Sequence, residues 1–192
     1  MLSISINAQD DNAISEIKSY QEGLNEQYKT KGESPLEEKD RVNFNGLDFF
    51  DIDLDYRVEA NLTKTPNALP LMVNTSSGKS KYLIKYGVLH FTIKGKKLKL
   101  AVYQSQSLLA NPLYKDYLFL PFMDKSNGKS TYGGGRFIDL NIPNGNKIIL
   151  DFNKAYNPYC AYSDGWSCTI PPKENSLDIA ILAGVKKYKD HH

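Results

Sequence analysis

Between Asp10 and Thr30 the apolar residues Ile14, Ile17, Leu24 and Tyr28, with Tyr20 among them, recur at the spacing of one helical face. This predicts one amphipathic N-terminal helix, capped by Asp10, Asp11 or Asn12 and stopped by Lys31-Gly32-Glu33-Ser34-Pro35. Gly23 weakens that helix by about 1 kcal/mol relative to alanine, so it must dock on something to persist. Further along, the period changes to two. Phe50, Ile52, Leu54 and Tyr56 alternate with Phe49, Asp51, Asp53 and Asp55, and an extended reading continues through Thr63. Val88 to Ile93 and Leu98 to Tyr103 flank the turn Lys94-Gly95-Lys96-Lys97, while Arg136 to Ile142 and Lys147 to Phe152 flank Pro143-Asn144-Gly145-Asn146. Both patterns predict hairpins. Further strand-like runs occupy Lys81 to Tyr86, Tyr117 to Phe122 and Leu177 to Ala183. Strands at short intervals with no helical segment between them predict a mainly β fold, an antiparallel sandwich or barrel-like sheet carrying one N-terminal helix.

Composition supports a single folded unit. The 192 residues are 41% apolar and include 13 Tyr and 8 Phe, enough for a sizeable core. The longest apolar runs are a few residues, far below the roughly 18 needed to span a bilayer as a helix. The net charge of +2 hides an asymmetry, since residues 1–62 carry 14 acidic and 6 basic side chains and the remainder carries 8 and 18. The two parts should attract. The one dense basic cluster, Lys79 to Lys99, flanks a predicted turn, which favours a solvated hairpin with guarded edges over a nucleic-acid surface.

Residues 1–9 are mildly apolar and reach the small residue Ala8 before an abrupt acidic run, which resembles the end of a signal peptide. The chain then divides into a leader remnant at 1–9, a helix and linker at 10–35, and one β-rich domain at 36–190. An exported protein, periplasmic or attached to the envelope, is the expectation, with a cytoplasmic one as the alternative. In an oxidising compartment Cys160 and Cys168 can close a small disulfide loop, the alternative being two buried thiols.

Several motifs fail as chemistry. Ser77-Gly78-Lys79-Ser80 and Asn127-Gly128-Lys129-Ser130 lack the earlier glycine of a phosphate loop, having Val73 and Met123 there. Gly133-Gly134-Gly135 has the wrong spacing for a dinucleotide fingerprint and reads as a bulge or a close backbone approach. His90 is the one histidine before the terminal His191 and His192, and it reads as a sheet-surface residue. One histidine and two cysteines are a poor supply for zinc. Asp51, Asp53 and Asp55 share one side if their segment is a strand, but Tyr56 and Leu62 stand where a calcium loop needs glycine and glutamate. No metal and no cofactor is expected.

The densest polar and aromatic stretch lies between Phe119 and Asn175 and includes Asp124, Tyr132, Arg136, Asp139, Asp151, Asn153, Tyr156, Asn157, Asp164, Trp166 and Asn175. An arginine among carboxylates and tyrosines either fixes loops as a buried ion pair or binds an anionic or sugar-like ligand. Within it stand Phe119-Leu120-Pro121-Phe122-Met123-Asp124, Thr131-Tyr132-Gly133-Gly134-Gly135-Arg136-Phe137, Asp151-Phe152-Asn153-Lys154-Ala155-Tyr156-Asn157-Pro158-Tyr159-Cys160-Ala161, and Pro171-Pro172-Lys173-Glu174-Asn175. Together with Leu47-Asp48-Phe49-Phe50 and Tyr56-Arg57-Val58, these closely resemble the bacterial domain of unknown function 1684 family, from about Gly46 to Lys187. The resemblance implies no established activity. It does imply that Asp124, Tyr132, Arg136, Asp151, Asn153, Tyr156, Asn157 and Asn175 form the main polar constellation.

The resulting expectation is a non-catalytic domain that binds a small polar or anionic ligand, or an envelope component, around Arg136 and Asp151 to Asn157. One alternative is a carboxylate-dependent hydrolase using Asp124 or Asp151, which needs the two carboxylates to face one cleft. Another is a purely structural envelope protein, with no cleft and a large exposed apolar patch.

Overall fold

The computed structural model describes residues 3–188. Helix α1 spans Ser3–Lys29, so Asp10, Asp11 and Asn12 lie inside the helix rather than at its cap. Met1, Leu2, His191 and His192 fall outside the described residues. The docking that Gly23 demands is met by the predicted stripe, with Ile17 and Tyr28 fully buried. A short helix, α2, follows at Glu38–Val42.

Seven strands follow: β1 Arg57–Lys64, β2 Pro70–Asn74, β3 Ser80–Ile93, β4 Lys96–Ser105, β5 Tyr117–Phe122, β6 Arg136–Asn141 and β7 Lys147–Asp151. They form one antiparallel sheet in the order β6-β5-β4-β3-β1-β7, with β2 paired to β3 beside this path. Consecutive strands β6 and β7 thus occupy opposite ends of the sheet, yet only residues 142–146 join them. So short a link between two ends requires the sheet to curl round on itself. The product is a curled half-barrel whose interior is filled by Leu62, Leu89, Phe91, Leu100, Leu118, Phe122, Leu150 and Phe152.

The β3–β4 hairpin forms as predicted and is tighter than its sequence suggested. Lys94 and Gly95 alone make the loop, both with left-handed backbone (φ 48° and 77°), as a primed two-residue turn demands. The runs 81–86 and 88–93 merge into the single strand β3, with a register shift between Lys85 and Gly87. At Gly87 a Cβ would stand 2.6 Å from the Thr63 carbonyl, so a bare backbone is needed where β1 crosses the bulge.

Three strand expectations are corrected. Arg136–Ile142 and Lys147–Phe152 flank a corner, not a hairpin, because β6 pairs with β5 and β7 with β1. Zipping β6 to β7 would tighten the barrel around a core already packed with Phe122, Phe152 and the covering segment. The alternation from Phe49 to Asp55 is largely irregular: Asp53 accepts the Asp55 N–H and caps a single 3-10 turn at Leu54–Tyr56, so the aspartates share no strand face. Leu177 to Ala183 is likewise no strand. It closes the barrel as an irregular segment that buries Leu177, Ile181 and Ala183 and bonds to Met123 and Lys125 through backbone groups.

The sheet is held together at its weakest seam by a side chain. Strands β4 and β5 share one paired position, Tyr103 with Phe119, before they diverge near Pro121, which has no N–H to offer. Asn175 fills the gap. Its amide nitrogen donates to the Ala101 and Pro121 carbonyls at 2.8 and 2.7 Å, and its oxygen accepts the Ala101 N–H at 2.8 Å. Replacing it strands three buried backbone groups at about 1 kcal/mol or more each. Asn175→Ala is therefore expected to lose about 3 kcal/mol or more in a urea unfolding titration, and a loss below about 1 kcal/mol would refute this role.

Candidate functional site

Arg136 opens β6 and points into the protein. Gly135 before it has φ 89°, and a Cβ there would stand 2.7 Å from the Phe122 carbonyl, so the close backbone approach expected of the glycine run is what turns Arg136 inward. The guanidinium is fully buried. It donates to Asp124 Oδ2 at 2.9 Å and to the Ile181 and Ala183 carbonyls, and it stacks 5.3 Å from the centre of the Phe122 ring. Asp124 spends its other oxygen on the Ser126 and Ile181 N–H groups. No face of this pair is open to a ligand.

Asp151 and Asn153 are also committed to the frame. Asp151 accepts from Arg57 at 2.9 Å, and Arg57 continues to Glu16 of α1 at 2.9 Å, so this pair ties the helix to the end of β7. Asn153 exchanges hydrogen bonds with both backbone groups of Asp53 at 2.9 and 3.0 Å, bracing the irregular segment before β1. Asn157 donates to the Lys186 carbonyl from a fully buried position. Tyr132 is half-buried, with its hydroxyl 3.5 Å from the Cys160 carbonyl. Cys160 and Cys168 are bonded to each other. Asp124 and Asp151 sit in separate ion pairs with different arginines, so they do not face one cleft as a hydrolytic pair requires.

Of the eight constellation residues, Tyr156 lines open space on both of its sides, and the paired Asp151 borders a third hollow along the seam. A cavity of about 340 Å³ lies between α1, which supplies Tyr20, Gly23, Gln27 and Tyr28, and a wall made by Asp139 of β6 with Tyr156 and Tyr159. A second hollow of about 310 Å³ shares Tyr156 and Tyr159 and continues past Phe119, Phe137 and Trp166 to the disulfide. A third, of about 450 Å³, shares Asp139 and runs along the open seam between β6 and β7. The seam left by the unformed hairpin thus adjoins the cavity beneath α1, with Asp139 on the border of both.

Asp139 is the chemical centre of this groove. Its Oδ1 accepts the Tyr117 hydroxyl at 2.7 Å and the Tyr156 hydroxyl at 2.8 Å. Solvent can reach the carboxylate at the cleft floor, yet the surrounding protein strips enough water that burial raises its pKa, against the two tyrosine hydrogen bonds. The same burial, and the nearby carboxylate, push the Tyr156 and Tyr117 hydroxyls upward, so both stay protonated donors. Asp139 and Trp166 lie within the polar stretch visible in sequence. Tyr20, Gly23 and Gln27 line the cavity although the sequence marks them only as parts of a helix, and nothing short of the packing of α1 reveals them.

A half-barrel with a single helix laid across its seam, and with a carboxylate at the floor of the resulting cleft, is the class of protein this fold defines. Residues 42–186 match the family model described as Protein of unknown function (DUF1684), and the chain belongs to that family. The chain is also similar to an uncharacterised protein of Haloarcula marismortui known from a solution NMR structure. Identity is 31%, the TM-score is 0.74, and the match covers 96% of this chain and all of that one. Among curated proteins, none matches.

The raised pKa of Asp139 has a consequence for stability. Between the ordinary carboxylate value near about 3.9 and the raised one, the folded chain holds more protons than the unfolded chain. Stability contributed by the protonated form is therefore lost as pH rises through that window, and it stays lower above it. Asp139→Asn removes the charge and keeps an acceptor for the tyrosines. It is expected to match or exceed the parent in denaturant midpoint at pH 7, with any gain vanishing at about pH 2.5, where the carboxylate is protonated in both states. A large loss at pH 7 would instead make Asp139 a structural group.

Proposed function

We propose that this protein is a non-catalytic, exported domain that binds a small polar ligand in the cleft between α1 and β6. The observation that supports it is the contrast among the polar residues. Asp124, Arg136, Asp151, Asn153 and Asn175 are buried and matched to protein partners, whereas Asp139 and Tyr156 meet a solvent-reachable cavity. A cavity of about 340 Å³ falls at the small end of the range for small-molecule sites. Its mixture of phenol rings, one carboxylate and one amide suits a ligand with an apolar body and a few polar groups. The purely structural reading needs a molecule without a cleft, and the groove beneath α1 argues against it.

Export is supported by the Cys160–Cys168 bond, since such bonds persist in oxidising compartments. Fractionation of cells expressing the native full-length gene product is expected to recover it outside the cytosol, and a cytosolic location would remove this part of the reading. The cleft is tested separately, by a thermal-shift screen against polar small molecules. Gly23 lines the cavity and has open space where its Cβ would stand, so Gly23→Leu should fill the cleft while strengthening the helix. Hits are expected with the parent and lost with Gly23→Leu. A broad screen without hits, or with hits indifferent to that substitution, would overturn the reading.

A further inference from the structure

Three carboxylates of this fold are not treated alike, Asp124 and Asp151 being buried and Asp139 exposed. Asp124 is neutralised by Arg136 and Asp151 by Arg57, each at 2.9 Å. Asp139 is met by two hydroxyls, and among the described residues no salt bridge reaches it. Tyrosine hydroxyls share a negative charge without cancelling it, so this solvent-reachable carboxylate keeps its charge available to a cationic ligand in the cleft. The cavity beside it supplies no counter-charge: among the described residues that line it, Asp139 is the one charged group. The neighbouring seam hollow, which Asp139 also lines, holds Arg57, Lys147 and Lys154: Arg57 is paired with Glu16 and Asp151, Lys147 with Glu59, and the Lys154 ammonium stands 5.9 Å from the Tyr20 ring with no salt bridge to Asp139.

The remaining walls suit a cation. Four phenol rings, Tyr20, Tyr28, Tyr156 and Tyr159, surround the space, and aromatic rings around a carboxylate are the surroundings in which organic ammonium groups lose least on leaving water. Gly23 leaves open space in the helix wall, so a bulky head group meets no side chain there. We infer that the cleft between α1 and β6 is a site for an organic cation, a primary or quaternary ammonium whose charge pairs with Asp139 and whose body rests among the tyrosines. This rests on the reading of that cleft as a ligand site and narrows its ligand class. An anionic ligand, one of the sequence-based expectations, would meet the wrong charge here.

The test is a set of NMR titrations of the full chain with butylammonium chloride, tetramethylammonium chloride, butanol and sodium butyrate at matched ionic strength. The cations are expected to shift resonances around Gly23 and Tyr156, with dissociation constants about tenfold or more below that of butanol. Butyrate is expected to leave those resonances unmoved. Asp139→Asn should abolish the preference for cations over butanol, and Gly23→Leu should close the cleft to every probe. If butanol or butyrate binds as tightly as the cations at a site that Gly23→Leu closes, the cation inference is overturned and the ligand cleft stands. If cation binding is absent, or is indifferent to both substitutions, the inference is also overturned. The ligand cleft itself falls only if the broad screen likewise yields no hit sensitive to Gly23→Leu.

Discussion

The guanidinium of Arg136 is the constraint on which the rest of the arrangement depends. A cation with no exposed surface is tolerable only if its charge is matched and most of its donors are occupied, and here Nη1 and Nη2 are bonded while Nε is left without a partner. Asp124 supplies the charge, and the Ile181 and Ala183 carbonyls supply acceptors. These partners come from the loop after β5 and from the irregular C-terminal cover, so satisfying one side chain fixes both against the start of β6. The cover then has no need of strand pairing, and its buried Leu177, Ile181 and Ala183 complete the barrel interior. Losing either charge would leave the other stranded, which is far worse than replacing both by apolar groups.

Asparagine amides perform a related service at two other breaks in the sheet. Asn175 stands between β4 and β5, and Asn153 stands between the end of β7 and the segment before β1. An amide side chain carries both a donor and an acceptor, so it can replace a missing stretch of backbone ladder where strands diverge. Most of the polar motif shared with the family is therefore frame. That explains why an apparent constellation of ligand groups resolves into several separate braces, most of them tens of residues apart in sequence.

What the frame leaves open is the seam. With β6 and β7 apart, the face of β6 that carries Asp139 is partly covered by Tyr156, whose backbone pairs with Phe137, and partly roofed by α1. The helix is tied down at one end by the relay from Glu16 through Arg57 to Asp151 and at the other by Tyr28 packed against Tyr162 and Tyr159. Between these anchors it bridges a gap, and the gap is where the Asp139 carboxylate and several phenols meet.

Local pattern alone determined the amphipathic helix, the β3–β4 hairpin, the run of β5 and the mainly antiparallel class, because helix period, strand period and turn chemistry are properties of neighbouring residues. The family was legible for the same reason, from motifs written in contiguous stretches. Tertiary structure alone decided that Arg136 to Ile142 and Lys147 to Phe152 would splay, since two strands with correct turn residues still pair where the shared core leaves room. It also decided that the aspartates of 51–55 would cap a turn and that Leu177 to Ala183 would fill a core without a ladder. The site shows the same division. Tyr156 and the polar stretch around Asp139 were visible in sequence, but sequence cannot say which carboxylate receives an arginine and which receives only hydroxyls. That assignment depends on which chain segments meet across the barrel, and Tyr20, Gly23 and Gln27 join Asp139 only because α1 lies over the seam.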